Sequence, residues 1–261
     1  MSSAYSQVSP VLQRPPITSR QQSQLDVFSR RMNALHALQP SEASALEALI
    51  VATYSVSPHQ DILYEHQPTK EALVLLEGMA CRYKVVNQSR RQMTGFVLPG
   101  DFCDLAFLSA SVTRQGVMSL GRGLVGRIDL RSLAAVANQM PNVMVAAMRA
   151  ATLEHACATE LVISLGIRDA LQRMAHFLCE LHHRLNTVGL VGANGEFELA
   201  MSQAELGEAL GLSTVHVNRT VQHLRKRKLI VMAKGKVQLL DRAGLEAVAG
   251  FDQAYLRSNR I

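Results

Sequence analysis

Apolar residues change their spacing three times along this chain. From Leu35 to Ile50 they fall at helical intervals: Pro40 and Ser41 would start the second of two short helices, with Ala45, Leu46, Leu49 and Ile50 on its inner face. The next section has strand periodicity. In MACRYKVV, Met79, Cys81, Tyr83 and Val85 alternate with Ala80, Arg82, Lys84 and Val86, and the flanking runs ALVLLEG and QMTGFVLPGD are apolar and closed by glycine or proline. About eighty residues of this kind, to roughly Leu130, predict a compact antiparallel β domain, with NQSRRQ as a hairpin turn.

After Pro141 the pattern becomes helical again and is apolar nearly all the way round. Only Arg149, Glu154 and Glu160 carry full charges between Val143 and Leu165. A helix apolar on two sides must be covered on two sides. Met144, Met148, Ala151, His155, Ala158, Val162 and Leu165 advance by alternating steps of four and three, the seam of a two-stranded coiled coil. One face is therefore expected on the β domain and the other against a second copy of the chain; the alternative is the central helix of a monomeric core. Gly166 breaks the pattern as a hinge would, before the amphipathic segment RDALQRMAHFLCELHHRL.

The last third carries the chemistry. In MSQAELGEALG, Ser202 and Glu205 form a capping box ahead of an apolar face of Ala204, Leu206, Ala209 and Leu210. Gly211 permits a tight turn and Ser213 can cap a second helix, in which Val217, Val221 and Leu224 share one stripe. Thr214, Val215, Asn218, Arg219 and Gln222 then face outward, and no carboxylate occurs between Thr214 and Lys236. LIVMAKGKVQLLD follows as two short strands around Lys234, Gly235 and Lys236. Helix, glycine turn, helix and basic-tipped hairpin make a winged helix-turn-helix, a surface suited to double-stranded DNA. The base-reading candidates are Thr214, Val215, Asn218, Arg219 and Gln222. Ser202, Ser213, His216, Arg225, Lys226, Lys234 and Lys236 are the candidates for phosphate contacts.

Composition narrows the classes. A chain of 261 residues, 48% hydrophobic, can bury a sizeable core, and a net charge of +6 favours a polyanionic partner. The four cysteines lie far apart with no CxxC, and the polar, proline-containing first thirty residues lack a secretory core, so a mobile tail on a cytoplasmic protein with no membrane association is expected. There is no nucleophile elbow, P-loop, zinc-protease motif or dinucleotide loop to support an enzyme. A single-strand RNA reader would need stacking aromatics, yet the chain has no tryptophan and no aromatic follows Gly211 until Phe251.

LGEALGLSTVHVNRTVQHLRKRKLI, preceded by MSQAE and followed by the hairpin, resembles the DNA-binding region of the Crp/Fnr transcription regulators. The resemblance extends from about Leu35 to Asp241, with Gly78 and Gly100 where that family has its β-roll glycines. It implies an α+β fold: an N-terminal antiparallel β-roll (jelly roll) similar to cyclic-nucleotide-binding domains, a long dimerisation helix and a C-terminal winged helix-turn-helix. It also implies a bacterial-type homodimeric regulator acting at a palindromic operator, with RNA polymerase a further candidate partner. The expected division is a mobile tail over 1–30, the effector domain over 31–140, dimerisation helix and hinge over 141–166, the DNA-binding domain over 167–243 and a helical extension over 244–261.

Departures from the family concern the effector. Members that bind cyclic AMP carry a glycine-glutamate-leucine segment and a later arginine-serine pair; here Cys103, Asp104 and Leu105 stand in the first place, and Arg114 is followed by Gln115 and Gly116. Asp104 and Arg114 are either a remnant of such a pocket or, the preferred reading, part of an ordinary loop, and cyclic AMP is not the expected effector. An iron–sulfur cluster is not expected either, because the first eighty residues contain no cysteine. His176, Cys179 and His183 stand at i, i+3 and i+7, the one set that could suit a metal or haem variant, although no fourth ligand is evident. A redox-responsive variant through Cys157, or a regulatory subunit of an enzyme, completes the alternatives.

Overall fold

The computed structural model describes residues 19–68, 70–86, 90–108 and 112–257. Helices α1 (Ser19–Leu35) and α2 (Pro40–Ala48) lead into strands β1 (Ile50–Val56), β2 (Asp61–Leu63), β3 (Glu71–Glu77), β4 (Ala80–Val86), β5 (Arg90–Val97), β6 (Gly116–Ser119) and β7 (Gly123–Asp129). Every pairing is antiparallel, in two sheets ordered β1-β7-β3 and β2-β6-β4-β5. Val56, Ile62, Leu73, Leu75, Val97, Val117 and Val125 fill the space between them. The expected hairpin turn NQSRRQ is shorter than its six residues: Arg90, Arg91 and Gln92 already pair with β4 as the start of β5, and 87–89 lie outside the described residues.

Helices α3 (Leu130–Gln139) and α4 (Pro141–Gly166) follow, then α5 (Ala170–Asn186), β8 (Glu196–Glu198), α6 (Gln203–Leu210), α7 (Thr214–Lys226), β9 (Ile230–Ala233), β10 (Lys236–Leu239) and α8 (Arg242–Ala249). A short 3-10 turn, Gln253–Leu256, ends the described chain. Among the described residues no helix is long and apolar enough to cross a membrane.

Both sheets are covered on their outer faces, which is why β3 and β4 do not alternate simply between buried and exposed. Val74, Leu76 and Ile128 pack with α1, α2 and α4. Met79, Cys81, Met93, Phe96, Leu98 and Leu120 share one apolar cluster with Met174, Phe177, Leu178, Leu206 and Leu210 of the C-terminal unit. The winged unit is thus docked on the β-roll, and Phe96 meets Phe177 at 4.9 Å between ring centroids.

Two expectations need correction. Residues 19–30 are not a loose tail: α1 begins at Ser19, and Val27 and Phe28 are buried with Met32 and Leu35 in the core. Phe28, Met32 and Leu35 recur at i, i+4 and i+7, a stripe hidden by the polar, proline-rich composition before it. Residues 1–18 lie outside the described residues. Gly100, at φ +91, lets this helix approach: a Cβ there would come within 2.5 Å of the Arg31 Cβ. The second correction concerns Ile50, which starts β1 instead of completing the inner face of α2.

Candidate nucleic-acid interface

The local sequence builds this surface almost unaided. Ser202 caps α6, accepting from the Glu205 amide at 3.2 Å while Glu205 accepts from the Ser202 amide at 2.7 Å. Gly211 ends α6 in the left-handed region, φ +62. A Cβ there would also lie 3.1 Å from a Leu165 methyl, a close contact that the leucine would have to yield to slightly. Ser213 caps α7, accepting from the His216 amide at 3.3 Å, and its hydroxyl lies 3.0 Å from His216 Nδ1.

Helix α7 is divided lengthwise. Val217, Thr220, Val221 and Leu224 are buried, whereas Thr214, Val215, Asn218, Arg219 and Gln222 are exposed, Val215 to 67%. Ser202, Ser213, His216, Arg225, Lys226, Lys234 and Lys236 are exposed as well. So are His223, Arg227 and Lys228, which the choice of phosphate candidates passed over although they lie in or beside the same basic run. Among the described residues no ion pair engages Arg219, Arg225, Lys226, Arg227, Lys228 or Lys234. Cations left without carboxylates are free to meet phosphates.

Strands β9 and β10 form the wing, closed by Lys234 and Gly235 with φ of 50 and 74. A third strand, β8, which the pattern did not reveal, pairs with β10. It places Glu196 Oε1 2.8 Å from Lys236 Nζ, an exposed pair that sets Lys236 apart from Lys234. Arg173 of α5 donates to the Leu210 carbonyl at 2.8 Å and so fastens the turn to the rest of the unit.

Comparison with known proteins agrees with this geometry. The model of the Crp-like helix-turn-helix domain matches residues 172–248. The chain is 30% identical over 198 residues to the transcriptional activatory protein AadR of Rhodopseudomonas palustris, covering 74% of this chain and 79% of that protein. It belongs to the Crp/Fnr family of transcription regulators. The nitrogen fixation regulation protein FixK of Bradyrhizobium diazoefficiens is 29% identical over 199 residues, covering 74% of this chain and 80% of its own. The solved structure of FixK2 from Bradyrhizobium japonicum shares the fold, with a TM-score of 0.66 at 24% identity over 76% of this chain and 96% of that one. This family member is accordingly a DNA-binding transcription regulator with an α+β fold and is not an enzyme.

The effector candidates Asp104 and Arg114 lie apart from the cavity of this region. Asp104 Oδ1 accepts from the Ala106 amide at 2.9 Å while its Oδ2 is buried without a hydrogen-bond partner, and Arg114 is exposed with its carbonyl accepting from Lys84 at 2.8 Å. The cavity in this region, about 170 Å³, lies between β5, the loop after it and α4, and neither residue lines it. Arg82, Glu154, Asp101 and Arg184 line it instead. The arginines here are already paired with carboxylates, Arg82 with Glu154 and Arg184 with Asp101.

The metal alternative finds no support in how its residues are placed. His176 is buried against Phe251 and Tyr255, with Nε2 3.2 Å from Glu160 Oε2, and burial lowers its pKa to about 4. Among the described residues no group of three His, Cys, Asp or Glu side chains could hold a metal ion. Burial pushes the thiols of Cys81, Cys103 and Cys179 up to about 12, and that of Cys157 upward as well, which disfavours their reactive thiolates.

The seam residues of α4 divide. Met144, Met148, His155 and Val162 are exposed, Met148 to 61% and Val162 to 70%, while Ala151, Ala158 and Leu165 are half-buried. Ala158 turns toward the cavity and Leu165 toward Gly211, so these two serve the chain's own packing. Ile163 and Ile167, the latter 83% exposed, extend the open stripe beyond the seven positions that the heptad pattern selects.

Proposed function

We propose that this regulator works in the cytoplasm as a homodimer joined along α4 and reads a two-fold symmetric duplex with one α7 in each half-site. The observation that carries the reading is the acid-free outer face of α7, whose cations have no intramolecular partners among the described residues. Arg219 reaches a guanine, matching O6 and N7 with its two-pronged guanidinium. Val215 offers only apolar contact beside it, suited to a thymine methyl. Thr214, Asn218 and Gln222 complete the reading face. Ser202, Ser213, His216, Arg225, Lys226, Lys234 and, less directly, Lys236 hold the backbone. The exposed Met144, Met148, Val162, Ile163 and Ile167 support the dimer, since an apolar stripe of this length is costly to leave in water. Two-fold pairing would set the half-sites about 34–36 Å apart. RNA polymerase is the partner through which such a protein acts on transcription.

Selection from random duplexes with the wild type and Arg219→Ala tests the reading. The variant should lose roughly 1–3 kcal/mol on the selected site and its preference at one base pair. Uniform loss with unchanged base preferences would make Arg219 a phosphate contact.

A further inference from the structure

Each of the three charges that interrupt the apolar central helix is engaged within the chain. Arg149 donates to the Leu35 carbonyl at 3.0 Å, Glu160 pairs with Arg168 at 2.7 Å, and Glu154 pairs with Arg82 at 3.0 Å. The third pair stands in the wall of the cavity described above. Arg82 is only 6% exposed, and its guanidinium also donates to the carbonyls of Phe102 at 2.8 Å and Phe96 at 3.2 Å.

The Phe96 carbonyl has a second donor. Arg184, in the last turn of α5, reaches it at 3.1 Å. Arg184 also pairs with Asp101 at 2.6 Å and Glu180 at 3.1 Å, and Asp101 pairs in turn with Arg31 of α1 at 2.7 Å. One connected network therefore runs from the central helix through β4 and the β5 carbonyl to the DNA-binding unit and the N-terminal helix. Its charges balance: Arg31, Arg82 and Arg184 against Asp101, Glu154 and Glu180. No positive excess is left to attract a phosphate. The Nε atoms of Arg82 and Arg184 and the Oε2 of Glu154 have no hydrogen-bond partner, so Arg82 and Glu154 form a close ion pair without a hydrogen bond, and water can meet these needs in about 170 Å³.

Resting on the DNA-binding reading above, we propose that Arg82 and Glu154 take the place of a small-molecule effector. Their ion pair fixes the central helix to the β-roll, and the shared Phe96 carbonyl passes that constraint to Arg184 and the winged unit. Operator binding then needs no added ligand. The coupling is direct because only residues 167–169 separate α4 from α5, so a rotation of α4 moves the unit that follows.

The test uses the full chain, dialysed exhaustively and weighed by native mass spectrometry. The mass should be that of protein alone, the selected duplex should bind without additives, and cyclic AMP or cyclic GMP at millimolar concentration should neither bind in calorimetry nor change that affinity. Glu154→Gln should weaken operator binding at least tenfold and raise hydrogen exchange across residues 170–186. The double variant Arg82→Leu/Glu154→Leu leaves neither member of the pair buried alone, so it should fold and show the same two effects. A retained small molecule, duplex binding that requires a cyclic nucleotide, or wild-type affinity and exchange in the double variant would overturn the proposal. Wild type that bound duplex before dialysis and not after it would overturn the proposal too; wild type that bound none in either state would fail the DNA-binding reading instead, and hydrogen exchange in the double variant would still decide the coupling.

Discussion

Asp101→Asn isolates one carboxylate of the buried network while preserving its shape. Asp101 accepts from Arg31 at 2.7 Å, Arg184 at 2.6 Å and the Leu98 amide at 2.9 Å. Burial alone would raise its pKa, but the two guanidinium groups outweigh it and hold the value at about 2, against 3.8 for a free side chain. That difference favours the charged form by about 2.5 kcal/mol. Loss of the carboxylate also leaves the buried Arg31 without its carboxylate partner, and breaking a buried pair from one side costs about 3–5 kcal/mol. The variant should therefore lose about 2.5–5 kcal/mol at pH 7, measured by urea unfolding at matched protein concentration. The sign with pH follows from the lowered pKa. The stabilisation is complete above the unfolded value near 4, and falls as pH drops toward 2. About half of the 2.5 kcal/mol should remain at pH 3. A loss under about 1 kcal/mol at pH 7, or a gap between the two proteins that does not narrow from pH 6 to pH 3, would refute this account of the network.

Val162→Lys places a charge in the exposed stripe of α4 on both copies; light scattering should report monomers, and an unchanged dimer would remove α4 as the interface. Lys234→Ala should weaken all duplexes alike and lower the salt slope of binding by about one, whereas Lys236→Ala should lower it less, because Lys236 first has to leave Glu196. Lys228 sits at φ +56 just beyond α7, so Lys228→Gly should raise stability by about 1 kcal/mol while weakening duplex binding; unchanged thermal stability would show that its backbone carries no strain.

The sequence by itself determined the parts whose information is local. Ser202 with Glu205, Gly211, Ser213 and the stripe of Val217, Val221 and Leu224 all act within a few residues of themselves, so the helix-turn-helix and the outward face of α7 could be read without coordinates. The wing followed from Lys234 and Gly235 for the same reason. Tertiary structure decided what depends on partners far away in sequence. Arg31 meets Asp101 across 70 residues and Arg184 meets it across 83, and neither spacing leaves a periodic trace. The alternation groups Arg82 with Ala80, Lys84 and Val86, and nothing local announces that both faces of that sheet are covered and Arg82 buried. A hint was Glu154, one of three charges on a helix otherwise apolar nearly all round. Such a charge needs a partner, because an unpaired carboxylate is expensive to bury, but only the fold could name Arg82.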